Sequence, residues 1–298
     1  MGAMARISVI GLGSMGYGMA QSCLRAGHIV RGLDISAARM AQFVAEGGAA
    51  EMGFEETEIL VCVVLNADQT RDVLFGETGA ARDLPKGAAI ISCATIPPQV
   101  ARELADRATA MGLLYLDAPI SGGAAKAALG QLSIMASGPR AAFDAAAPAL
   151  TAMAATVHDL GDEIGAGSAM KSVNQLLAGI HIAAMGEALA FAATQGLDLK
   201  RVIEVISASA GTSWMFENRA PHVVEADYTP RSSINIWPKD LGIVSDIAGA
   251  AGLPVPMTAS ALAQFCSAQG AGLGLEDDAA VTKVYARAAG VKLPGDAS

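Results

Sequence analysis

The sequence is short of positive charge, of cysteine and of long apolar runs, and each shortage removes a class of function. Twenty basic residues against twenty-nine acidic ones leave a formal charge of -9, the wrong sign for a surface that meets nucleic acid or an anionic membrane. Four cysteines (Cys23, Cys62, Cys93, Cys266) and four histidines (His28, His158, His181, His222) are scattered along the chain without metal-ligand spacing, so no metal is expected. Three of the cysteines lie among apolar or small residues, as reduced core thiols do, and a reducing cytoplasm is the expected compartment. No apolar core of a signal peptide is seen near the N-terminus. No stretch reads as the run of roughly 18 apolar residues that spans a bilayer. Met1-Gly2-Ala3, ahead of Met4, is set aside from the fold.

What remains is a chain with 52% hydrophobic and only 16% charged residues, the balance of an α/β enzyme with a large interior or a substantial subunit interface. At 298 residues it exceeds the usual single-domain size, and two domains are expected. The organising stretch runs from Arg6 to Asp34. Ile7 to Ile10 is a short apolar strand, followed at once by Gly11-Leu12-Gly13-Ser14-Met15-Gly16, a helical stretch to Arg25 and a second apolar run, Ile29 to Leu33, that ends in Asp34. In a dinucleotide-binding β-α-β unit the first glycine makes the tight turn, the second lets backbone approach the pyrophosphate and the third lets helix and strand pack closely. The helix N-terminus offers N–H groups and a positive dipole end to the phosphates. Asp34 falls where a carboxylate accepts the adenosine ribose hydroxyls, which favours NAD over NADP; Arg39, one helical turn further on, is the residue that could meet a 2′-phosphate instead.

Beyond Asp34 the pattern alternates. Ser36 N-caps an expected helix to Glu46; Ile59 to Leu65, Ala88 to Ser92, Leu113 to Asp117, Leu132 to Ala136 and Thr156 to Leu160 read as further strands, with helices between them. That order predicts an α/β fold, an N-terminal Rossmann domain with a mostly parallel sheet covered on both faces. Ligands of such sheets lie beyond the carboxyl ends of the strands, which draws Asn66, Thr95 and Ser121, just after their strands, toward the cofactor. From Gly165 strand-like runs disappear. A long linking helix from about Gly167 to Gln195 leads into an all-α C-terminal domain with helices at Leu199 to Ser207, Lys239 to Ala251, Thr258 to Gln269 and Asp277 to Ala289. The boundary is placed near Asp162, giving 1–162 for NAD binding and 163–298 for substrate binding and oligomerisation.

Three stretches carry polar groups suited to chemistry. Asp117-Ala118-Pro119-Ile120-Ser121-Gly122-Gly123 follows a strand, and a serine with two glycines can present a hydroxyl and backbone N–H groups to a carboxylate; an ordinary strand-to-helix turn reads equally well from this stretch alone. Lys171 lies one turn inside the long helix, with Asn174 and Gln175 at i+3 and i+4 on the same face. A lysine can take a proton from an alcohol only if its pKa falls from about 10.4 toward about 7 to 8, which burial and a helix N-terminus promote. The bland alternative is a solvated lysine, against which stands the otherwise uncharged run around it. Lys239-Asp240, after Trp237-Pro238, is expected to open a helix, where a surface capping pair is the simpler reading of the two residues on their own. Ser213 to Arg219 sets Trp214 and Phe216 among polar groups, as core, lid or subunit contact.

Gly11 to Gly16 with Met15, Asp117 to Gly123, the Gly167 to Lys171 helix start and Lys239-Asp240, in this order and spacing, resemble the 3-hydroxyisobutyrate dehydrogenase (β-hydroxyacid dehydrogenase) family over nearly the whole chain. The resemblance implies a Rossmann domain that binds NAD through Gly11, Leu12, Gly13, Ser14, Met15, Gly16, Asp34, Leu65, Asn66, Thr95 and Lys239. It implies a helical second domain, and Lys171 as the single general acid/base. Ser121, Gly122 and Gly123 would hold a substrate carboxylate, with Asn174 and Gln175 beside it. Lys126-Ala127-Ala128, Gln175 to Gly179, Asp227 to Pro230 and Glu276-Asp277-Asp278 resemble a branch of the family that oxidises the C2 hydroxyl of a small polyhydroxy acid. The expected partners are that hydroxy acid and further copies of the chain, as a homodimer or homotetramer. Two alternatives stay open: the same machinery acting on 3-hydroxyisobutyrate or on tartronate semialdehyde, and a dinucleotide-binding module that has lost catalysis.

Overall fold

The computed structural model describes residues 4–296; Met1-Gly2-Ala3 lies outside them. Five short strands, β1 (Arg6–Ile10), β2 (Ile29–Leu33), β3 (Ile59–Cys62), β4 (Ala89–Ser92) and β5 (Leu114–Asp117), form a parallel sheet in the order β2-β1-β3-β4-β5. The strand order reverses between β1 and β3, the point beyond which doubly wound sheets bind their ligands.

Strands buried on both faces read as continuous apolar runs, and period-2 alternation assigns each side chain to one face. Ile7, Val9, Ile59, Val61, Ile91 and Leu116 pack on one side with Met19, Ala20 and Cys23 of α1 (Gly16–Arg25). Phe143, Ala146, Leu150 and Met153 of α6 (Arg140–Met153) join that side. Ile10, Leu60, Cys62, Ile90 and Tyr115 pack on the other with Leu74 of α3 (Ala67–Phe75) and Ala101, Leu104 and Ala108 of α4 (Pro98–Ala110). Helix α2 (Ala37–Ala45) starts where Ser36 accepts a bond from the Arg39 N–H. After β5 the chain makes a second, smaller sheet of β6 (Ile120–Ser121), β7 (Leu132–Ala136) and β8 (Ala154–Asp159), with α5 (Gly123–Leu129) between the first two. The expected run from Ile59 to Leu65 is shorter as a strand, because β3 stops at Cys62 and the Val63 N–H makes the last bond, to the Ile10 carbonyl.

The chain divides into two compact units, residues 1–171 and 172–298. Helix α7 (Ala166–Thr194) begins in the first and continues into the second, which adds α8 (Leu199–Ser207), α9 (Trp214–Glu225), α10 (Ile236–Ala250), α11 (Pro256–Ala268) and α12 (Thr282–Ala289). No strand falls in the second unit among the described residues. Its core gathers Ile182, Met185, Leu189, Phe216, Trp237, Leu241 and Phe265, with the Trp237 and Phe265 rings stacked at 5.3 Å. Helix α9 was not among the helices expected. It starts where Ser213 caps the Phe216 N–H, sends Phe216 into the core and leaves Trp214 half-exposed. Arg219 on α9 pairs with the fully buried Asp278, which also accepts from the Trp237 indole.

Helix α7 corrects one expectation. Over 29 residues it is long and apolar enough, by length and composition, to cross a membrane. Half of its most apolar window is nonetheless buried inside the protein, as a core helix requires.

The thiols give a simple test of the packing. Burial pushes Cys23 and Cys62 up to about 12 and Cys93 higher still, whereas Cys266 is exposed. Since the thiolate is the nucleophile, titration of native protein with a thiol-reactive disulfide at neutral pH is expected to release one equivalent quickly, from Cys266, and all four only after denaturation. Rapid release of two or more from the native protein would contradict this packing of the sheet.

Candidate active site

The turn after β1 has the geometry of a phosphate cradle. A Cβ on Gly16 would sit 1.8 Å from the Gly11 carbonyl oxygen, and one on Gly11 would sit 2.4 Å from the Val63 carbonyl oxygen. Both positions are glycine because the fold itself is too close. Gly13 differs: a Cβ there meets nothing within 4 Å, and both Gly13 and Ser14 are exposed at the mouth of α1. A glycine without an internal reason, at a helix N-terminus beyond the sheet's switch point, fits close approach by a pyrophosphate. Leu12 turns its side chain fully into the core and gives its N–H to Asp34 Oδ2 at 2.7 Å, while the Ser36 N–H binds Asp34 Oδ1 at 2.8 Å. The carboxylate is thereby held at the end of β2, half-buried, where the ribose of an adenosine would meet it. Arg39 lies over the Tyr17 ring at 5.0 Å. Of the other residues drawn toward the cofactor, Leu65 is exposed, Asn66 caps α3 through the Gln69 N–H, and Thr95 is half-buried just after β4.

At the carboxyl end of β5 the first unit gathers a second group. Asp117 is fully buried and accepts from the Gly165 N–H (3.1 Å), the Ser168 N–H (2.8 Å) and the Ser168 hydroxyl (2.7 Å). It satisfies N–H groups that the first turn of α7 cannot pair internally. Burial pushes its carboxyl above the usual range while these bonds pull it back. One turn on, Lys171 is buried with 8% exposure and donates from Nζ to the Ile120 carbonyl at 2.9 Å. Ser121 follows directly, and Gly122 (φ +133°) and Gly123 (φ +78°) are successive left-handed residues that open α5. The structure thus brings the Lys171 amine to the residue that precedes Ser121-Gly122-Gly123, and its burial excludes the solvated-lysine alternative.

In the second unit a relay links two helices. Gln175 on α7 donates to Asp240 Oδ2 at 2.5 Å and accepts from the Asn174 amide at 2.8 Å, while Lys239 pairs with Asp240 Oδ1 at 2.5 Å. Lys239 and Asp240 do not open their helix, as the sequence suggested: α10 begins at Ile236, and Asp240 is 2% exposed. An unpaired buried carboxylate is costly, so Asp240 is held by Lys239 and Gln175 and in turn orients both. The sequence pattern assigned no separate role to Asp117 and marked Asp240 as a helix-start residue, whereas it is buried inside α10. The only signal for the first was an acid closing the apolar run Leu114-Tyr115-Leu116. His222 binds Asp277 (2.9 Å) and His158 binds Ser133 (3.1 Å). Among the described residues no cluster could hold a metal.

Known proteins match nearly the whole chain. Residues 6–161 match the family model described as the NAD binding domain of 6-phosphogluconate dehydrogenase, and residues 165–285 match that described as NAD-binding of NADP-dependent 3-hydroxyisobutyrate dehydrogenase. An L-threonate dehydrogenase of Cupriavidus necator is 47% identical over 98% of both chains. An L-threonate dehydrogenase of Haemophilus influenzae is 45% identical, over 97% of this chain and 96% of its own. A crystal structure described as 3-hydroxyisobutyrate dehydrogenase from Salmonella typhimurium superposes with a TM-score of 0.90 at 47% identity, covering 94% of this chain and 99% of that one.

Proposed function

Because the chain belongs to the 3-hydroxyisobutyrate dehydrogenase family and carries an NAD-binding domain, we propose that it oxidises the C2 hydroxyl of L-threonate to the 2-oxo acid, with NAD as acceptor and Lys171 as general acid/base. The observation that carries the chemistry is the buried Lys171 amine on the Ile120 carbonyl, one residue from Ser121. The substrate follows from full-length similarity to the L-threonate dehydrogenases.

In this reading the Ser121 hydroxyl and the Gly122 and Gly123 backbone receive the substrate carboxylate. Asn174, its amide oriented by Gln175, and Gln175 itself meet the substrate hydroxyls, and Lys171 takes the C2 hydroxyl proton. NAD, when bound, accepts the hydride. Gly11 to Gly16 would hold its pyrophosphate, chiefly through the exposed Gly13 and Ser14, and Asp34 its adenosine ribose; Leu65, Asn66, Thr95 and Lys239 complete the cofactor set. The NAD-binding domain is taken to end near residue 162 and the helical remainder to serve substrate binding and assembly. Exposed Val173, Leu177 and Phe191 on α7 favour a homodimer or homotetramer, and three buried free thiols favour the cytoplasm.

Initial rates with NAD and NADP, across L-threonate, D-threonate, D-glycerate and 3-hydroxyisobutyrate at mildly alkaline pH, test the reading. The highest kcat/KM is expected for L-threonate with NAD. NADP should be poorer by on the order of 100-fold, because a 2′-phosphate beside the Asp34 carboxylate places like charges together, at a cost of several kcal/mol. Faster turnover of another acid would discard L-threonate, and no turnover with any acid would leave a dinucleotide-binding module.

A further inference from the structure

None of the roles above uses Asp117, yet its position is closely determined. It closes β5 in the sheet, and an antiparallel bridge to Ser137 fixes its backbone from the other side (Asp117 N–H to Ser137 O 3.0 Å, Ser137 N–H to Asp117 O 2.9 Å). The Ser137 hydroxyl accepts from the Gly167 N–H at 3.1 Å, so two neighbouring backbone positions grip the first turn of α7. A Cβ on Gly167 would come within 2.5 Å of the Asp117 and Met135 carbonyl oxygens, which leaves that turn no room to slide. The groups that face the Asp117 carboxyl are donors, the Gly165 N–H just ahead of α7, the Ser168 N–H and hydroxyl on it and the Ser137 hydroxyl, the environment of an ionised carboxylate. Ser168 and Lys171 are i and i+3 on one helix face. Ile120, which accepts from Lys171, lies three residues after Asp117 in the same segment. The contacts close a small ring: Asp117 to Ser168, one helical turn to Lys171, across to Ile120, and back along the chain.

We propose that Asp117 is a positioning residue for the reaction, fixing the first turn of α7 on β5 so that the Lys171 amine is held at the Ile120 carbonyl beside Ser121. The proposal rests on Lys171 being the general acid/base. A misplacement of about 1 Å in a reacting group costs on the order of 100-fold in rate, so the ring has a kinetic consequence distinct from folding.

The test compares Asp117→Asn, Ser168→Ala, the double variant and Lys171→Ala. For Asp117→Asn, kcat is expected to fall roughly 10- to 100-fold, with substrate KM, NADH affinity by fluorescence titration and Tm close to wild type. Ser168→Ala, which removes only one of the bonds to the carboxyl, should fall less, and the double variant should be no slower than Asp117→Asn alone. Mass-spectrometric footprinting with an acylating reagent reads the geometry without turnover: Lys171 should label several-fold faster in Asp117→Asn while other lysines keep their rates. Parallel losses of Tm, NADH affinity and kcat would make Asp117 a structural cap and overturn the proposal, as would wild-type kcat and wild-type Lys171 labelling in both single variants. If Asp117→Asn does not fold, Ser168→Ala decides by the same two readouts. Turnover surviving in Lys171→Ala would instead remove the reading beneath the proposal, an outcome visible separately.

Discussion

Replacing Lys171 with alanine is expected to lower kcat and kcat/KM together by about 10²- to 10⁴-fold, the range that general acid–base catalysis supplies, while NADH affinity stays within about twofold of wild type. Equal losses in the two constants mark an interaction made in the transition state alone. The split follows from where the side chain points. Its amine is bonded to Ile120 O, beyond the carboxyl end of β5, whereas the turn proposed to receive the pyrophosphate, Gly11 to Gly16, follows β1. The fold should tolerate the change, since alanine is the best helix former. Lys171→Arg separates base from cation. Arginine keeps the charge but does not deprotonate in proteins, so it should be nearly as slow as alanine; a variant retaining a tenth or more of wild-type kcat would mean that Lys171 acts by its charge. Steady-state rates with L-threonate and NAD, beside NADH fluorescence titrations, read both substitutions.

How far these sites were legible beforehand depended on how local their causes are. The unit from β1 to Asp34 could be read residue by residue because turn chemistry, helix capping and strand period act over a few positions. Lys171 could be placed one turn inside a helix for the same reason. What holds it could not, because Asp117 and Ser168 are 51 positions apart, and Gln175 and Asp240 are 65 apart; no spacing rule reaches that distance. Helix α9 carries Pro221 in its interior, where a proline ordinarily breaks a helix, although Ser213 offered a cap. Helix α10 was placed late because Pro238 looked like punctuation, whereas a proline in the first helical turn gives up only an N–H that has no intrahelical partner. The two buried carboxylates share a lesson: an acid adjoining an apolar run is either exposed at the end of an element or buried with partners from afar, and the sequence alone does not distinguish them.

The glycines of the cradle should separate stability from binding by a wide margin. Alanine at Gly16 puts a Cβ 1.8 Å from the Gly11 carbonyl oxygen and 3.3 Å from the Val63 Cβ, and no flexible side-chain end lies there to give way. The backbone of the turn must move, at a cost of about 3 kcal/mol or more by analogy with overpacked cores, which for a chain of this size lowers Tm by roughly 6–12 °C. Valine at Gly13 meets no atom of the chain within 4 Å at its Cβ, and Gly13 is not among the positive-φ glycines. Its stability should therefore stay within about 0.5 kcal/mol of wild type, as for surface changes generally. Its added carbons occupy the space a pyrophosphate would use, and NADH affinity should fall on the order of 100-fold, the equivalent of a 1–3 kcal/mol overpacking penalty. Thermal melts and fluorescence titrations on the two variants are enough. A Gly13→Val protein that binds NADH normally would mean that the cofactor does not approach the turn at its second glycine. A Gly16→Ala protein with wild-type Tm would mean that helix α1 and the turn after β1 are less tightly joined than the 1.8 Å approach requires.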